Sequence, residues 1–157
     1  MNTRAARAKA WGRISQLLTD VAVPHRFQIE PGGLTRFTGD RSIAYWFEGE
    51  SEKGFTIGGN IMVTHKVMIR CFWRIPATDD VRARTALELE IWDATRGIQE
   101  AIYGDSDLAE TVTRVDFGLV QRGIEPVQVG TGVETVDCMT LDLPLFLQEL
   151  EAEAVAA

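Results

Sequence analysis

Along residues 61–75 the side chains alternate with a period of two. Ile61, Val63, Val67, Ile69, Cys71, Trp73 and Ile75 occupy one parity, interrupted only by His65. Met62, Thr64, Lys66, Met68, Arg70, Phe72 and Arg74 occupy the other, a mixed face. Alternate residues of a strand point to opposite sides, so the pattern predicts one long strand ending at Pro76. At about 3.3 Å per residue it spans roughly 45–50 Å, more than a compact domain of this size covers. The strand must therefore bend at a bulge, or project as an arm and pair with a neighbouring chain.

Two segments carry helical spacing instead. Over 3–20, Trp11, Ile14, Leu17 and Leu18 with Val21 form one stripe, Arg4, Arg7, Lys9 and Arg13 the opposite side, and Val23-Pro24 the expected end. From about Asp80 to Tyr103, Leu87, Ile91, Ala94, Ile98, Ala101 and Ile102 share a face flanked by Leu89 and Trp92. Thr78-Asp79-Asp80 supplies an N-cap and Gly104-Asp105 a stop.

Between His25 and Asn60 lie seven of the fourteen glycines, and Arg26–Glu30, Gly33–Phe37 and Ser42–Phe47 read as short strands among them. Glu48-Gly49-Glu50-Ser51-Glu52-Lys53-Gly54 reads as a projecting acidic loop. Val112–Arg122 and Val133–Leu147 read as later strands joined by a turn region from Gly123 to Gly132, and 148–157 as an acidic tail able to form a short helix. Strands come in runs rather than alternating with helices. The expected fold is a single α+β domain over 1–157: an antiparallel or mixed sheet with a long strand or hairpin arm, packed by an N-terminal and a central helix.

Composition narrows the chemistry. Sixteen basic against twenty-three acidic residues give a formal charge of −7 over 157 residues, which argues against a DNA binder held by phosphate neutralisation. No run approaches the roughly 18 apolar residues of a membrane span, and the basic N-terminus leads to no apolar h-region of a secretory signal. Cys71 and Cys138 are too few for a disulfide framework or a zinc site and read as buried thiols. Cys71 and His65, six residues apart on one strand face, lie about 20 Å from each other, too far for a dyad. The glycine pairs 32–33 and 58–59 lack a phosphate-loop context, and Asp105, Asp107 and Asp116 do not follow calcium-loop spacing. No catalytic, cofactor or metal site is expected. The charge is polarised: residues 1–13 hold four bases and no acid, 134–157 six acids and no base. Such ends suit a head-to-tail contact between identical subunits, and an intramolecular contact equally well.

Three stretches resemble the tail terminator (tail completion) proteins of long-tailed bacteriophages. They are the amphipathic helix before Val23-Pro24-His25, the strand Ile61–Ile75 ending in Arg74-Ile75-Pro76, and the helix from Arg82-Ala83-Arg84 through Tyr103 into Gly104-Asp105-Ser106-Asp107-Leu108. The resemblance implies a non-enzymatic virion protein, assembled in the host cytoplasm. Its subunits would form a homo-oligomeric ring, a hexamer, on the head-proximal end of the tail tube. The ring would stop tube polymerisation, meet the head–tail connector or stopper protein, and let DNA pass transiently through its lumen. Within that reading Met62, Met68 and Phe72, with Arg4, Arg7, Arg13, Glu149 and Glu151, are expected at subunit interfaces. Glu48, Glu50, Glu52, Lys53 and Phe55 are expected in an axial docking loop. The alternatives are another neck or tail protein, or a ligand-binding or enzymatic α+β domain with a pocket lined by Trp46, His65, Trp73 and Met139.

Overall fold

The computed structural model describes residues 4–34, 36–37, 39–55, 60–77 and 80–152, with side chains except those of 4–6, 51–55, 60 and 150–152. The elements are α1 (Arg4–His25), β1 (Gln28–Pro31), β2 (Arg41–Phe55), β3 (Asn60–Arg74), α2 (Val81–Tyr103), β4 (Arg114–Phe117), β5 (Gln121–Gln128) and β6 (Thr135–Ala152). The fold is α+β, with a mixed sheet in the order β1-β2-β3-β6-β4 and β5 also pairing with β6. Among the named strands β1 pairs in parallel with β2 and the other pairings are antiparallel.

Both helices pack on one sheet face. Ile14, Leu17, Leu18 and Val21 of α1 and Ile91, Ala94, Ile98 and Ile102 of α2 meet Ile43, Tyr45, Val67, Ile69, Cys71, Trp73, Leu141, Leu143 and Leu145 in a single cluster. These are the apolar stripes of the two helices and one parity of each long strand. Full burial of each such side chain contributes roughly 1.5–3 kcal/mol. On the other face a smaller cluster gathers Phe37, Ala44, Phe72, Val127 and Cys138, with no helix among them. Phe37 reaches it from the connection between β1 and β2, where its N–H donates to Gln128 O at 2.7 Å.

Several boundaries differ from the sequence expectation. α1 runs through Pro24 to His25 rather than stopping at Val23. In the last turn the proline forgoes a single backbone bond, and a Schellman closure follows. Phe27 N–H donates to Ala22 O at 3.0 Å and Arg26 N–H to Val23 O at 3.3 Å, with Arg26 at φ 58°. Residues 48–55, expected as a loop, continue β2 alongside β3. Two register shifts, at Phe47/Gly49 and Glu50/Glu52, absorb the mismatch, and Gly49 takes φ 134° there. The bulges therefore lie in β2, while β3 pairs along its whole length with β6. Residues 148–152 extend β6 instead of forming an acidic tail or helix, whereas 153–157 lie outside the described residues. Val112–Arg122 is not one strand. It divides into β4 and the start of β5 around Gly118, and most of the expected turn region is β5. Among its described residues Gly33–Phe37 contributes an isolated bridge from Phe37 to Val129.

Candidate functional site

On the helix-facing parity His65 is the polar break of β3 and Glu149 follows the run Leu141–Leu147 of β6, and the antiparallel register brings the two together. His65 lies opposite Leu147, and Glu149 is two residues further along β6. His65 Nε2 lies 2.8 Å from Glu149 Oε1. Glu149 is 3% exposed and His65 8%, so a carboxyl and an imidazole are taken out of water together and satisfy each other. Arg7 of α1 approaches the same oxygen at 3.5 Å, and Glu50 Oε1 of β2 stands 4.0 Å from His65 Nδ1. Side chains of α1, β2, β3 and β6 thus meet in one cluster around His65 and Glu149. The Phe47 ring lies 5.9 Å from the His65 ring, centroid to centroid.

The cluster borders a cleft of about 320 Å³ lined also by Ala10, Trp11, Ile14, Phe47, Val67, Val112 and Leu147. Of the four residues expected around a pocket, only His65 lines it. Trp73 is buried in the main core with Met139 packed against that core, and Trp46 belongs to the opposite sheet face. Arg7, Trp11, Phe47 and Glu149 had not been expected in a pocket. The interruption of apolar alternation by His65 was the available signal, and Glu149 continues the parity of Leu141–Leu147.

The expected interface residues separate. Phe72 is 5% exposed and packs within the chain in the smaller cluster, so it is not available to a neighbour. Met62 and Met68 share its parity and are half-buried. Met68 stands in a cross-strand row with Trp46 and Pro144, all half-buried, beside the similarly placed Phe146. Arg70 lies along this face, paired with Asp142 and Glu125, its guanidinium 5.7 Å from the Trp46 ring centre. Lys66 pairs with Glu48 at 3.0 Å.

Of the polarised ends, Arg7 meets Glu149 within the subunit at 3.5 Å, while Arg13 pairs with Asp105 in the turn after α2 at 2.5 Å. The side chains of Arg4 and Glu151 lie outside the described residues. The docking-loop residues Glu48 and Glu50 are on a strand, not a loop, and the side chains of Glu52, Lys53 and Phe55 are outside the description. Cys71 and Cys138 are buried thiols; burial pushes the Cys71 thiol well above its usual range and that of Cys138 up to about 11. Neither is a nucleophile in this state. No helix among the described residues is long and apolar enough to cross a membrane.

Searches against protein-family models and against curated proteins found no match to this chain.

Proposed function

We propose that the chain is a structural subunit of a phage tail, forming a ring on the head-proximal end of the tail tube. The observation that carries the reading is the helix-free sheet face. There Trp46, Met68 and Pro144 form an apolar row across three adjacent strands, with Met62 and Phe146 nearby and charged pairs along it. An apolar row with polar pairs beside it matches the anatomy of a subunit interface. The long β2–β3 hairpin with β6 supplies the extended strands that such assemblies join through. The placement on a tail rests on the sequence resemblance in α1, β3 and α2.

In this reading the work is surface complementarity. Each subunit docks on the last tube ring through the end of the β2–β3 hairpin and presents to the connector a surface that recruits no further tube ring. An acidic subunit repels the phosphates of passing DNA and so does not retard it. The test is the mass of the purified protein by light scattering, alone and with tail-tube subunits. A hexamer, alone or induced by tube ends, supports the reading. A protein that stays monomeric in both conditions overturns it.

A further inference from the structure

We propose that the exposed side of α2 is a two-fold contact between two copies of this chain, the two helices antiparallel and crossing at Trp92. The contact lies on the helix-bearing side of the sheet, away from the row of Trp46, Met68 and Pro144, so it is independent of ring assembly.

Burial defines the patch. α2 packs on the sheet through Ile91, Ala94, Ile98 and Ile102, and its other side leaves Trp92 69% and Leu89 59% exposed. Tryptophan is enriched where proteins meet and is among the residues that anchor such contacts. Beside Trp92 a cleft of about 650 Å³ runs between α2 and the start of β5, with Ile91, Tyr103, Val120 and Leu141 among its walls. An indole of a second copy, entering next to Trp92, meets apolar surface there.

Charge selects the occupant. The row through Trp92 at intervals of four residues reads Arg84, Glu88, Trp92, Arg96 and Glu100. Read backwards, it keeps its tryptophan and inverts every sign. A two-fold axis at Trp92 that sets the helices antiparallel places each residue opposite the one equally far beyond Trp92. Glu88 then faces Arg96 of the second copy and Arg84 faces Glu100 of the second copy, each contact made twice. A parallel pairing would set like charges together, so the pattern also fixes the direction. The pairs made within the chain are compatible with this. Arg122 donates to both oxygens of Glu88, and Arg96 Nε donates to Glu100, all at exposed positions. A carboxylate offers several acceptor sites and a guanidinium several donors, so Glu88 and Arg96 can serve a second copy as well. A patch built on one helix and its flanking strand belongs to the small, transient class of interfaces, below about 1,200 Å². The expected Kd is on the order of 100 µM, too weak to register in light scattering at low micromolar concentration.

The experiment is sedimentation equilibrium of the full chain up to about 1 mM, in a Met68→Glu background that places a charge on the helix-free face and removes that face from the reading. The expected result is a monomer–dimer equilibrium. Arg96→Glu and Glu88→Arg, both at exposed positions, each set like charges together twice and should weaken the dimer at least about tenfold. Trp92→Ala should do the same. An equimolar mixture of the two charge variants should dimerise again. One chain then presents acid at both positions and the other base at both, and a local effect on Arg122 or Glu100 within either chain is not repaired by mixing. A chain that stays monomeric to about 1 mM, a dimer indifferent to Arg96→Glu or Trp92→Ala, or a mixture no more associated than its components would each overturn the proposal.

Discussion

Arg26 is in the left-handed region at φ 58°, at the position that closes α1 and that glycine usually occupies. Arg26→Gly removes that strain, while glycine's larger unfolded entropy offsets part of the gain. The expected outcome is about 0.5 kcal/mol of added stability, a rise in Tm of roughly 1–2 °C by calorimetry. The Arg13–Asp105 pair makes a pH-dependent prediction. The Arg13 hydrogen bond holds the Asp105 carboxyl below its usual range, so the pair stabilises the fold above the unfolded carboxyl's value. That contribution is lost as pH falls through the lower folded value. Arg13→Gln should therefore cost about 0.5–1 kcal/mol at neutral pH, and denaturant titrations should show the gap to wild type closing below about pH 4. At this scale the site was half legible. His65 stood out as the polar interruption of an apolar face, and Glu149 was visible only as a charge in a presumed tail. Nothing in either segment states that register puts them 2.8 Å apart.

Among the elements, both helices were legible because their apolar residues recur at helical spacing, and β3 because its alternation runs its full length. The extension of α1 past Val23 was not: a proline in the last turn removes one bond only, and Phe27 packing back on the core offsets the loss. The outer half of β2 was hidden because its glycines and charges imitate a loop. Cross-strand pairing overrode that local preference, with Gly49 taking up the bulge. The division between β4 and β5 has a local cause. A Cβ on Gly118 would stand 2.7 Å from Phe146 Cε2 and 3.0 Å from Pro144 Cγ. Gly118→Ala should thus cost about 1–3 kcal/mol by overpacking. Combining it with Phe146→Ala should recover part of that loss, a coupling above about 0.5 kcal/mol in a double-mutant cycle.

For the molecule as a whole, the charge of −7 first spoke against DNA binding, and its polarity suggested ends that meet. The intramolecular Arg7–Glu149 pair joins the two ends within the subunit, and Arg13 is taken up by Asp105 of the turn after α2. The weight of the assembly proposal moves accordingly to the helix-free face. Met68→Glu there should cost the isolated subunit less than about 1 kcal/mol, yet abolish the oligomer in light scattering. Phe72→Ala, by contrast, opens a cavity in a buried cluster and should cost about 3 kcal/mol. The measurement closest to the central claim is the length of tail tubes, counted by electron microscopy, as purified tube subunits polymerise with and without this protein. Shortened tubes capped at one end by a ring are the predicted result. Tubes of unchanged length with bare ends, or tubes into which the protein is incorporated along their length, would contradict it.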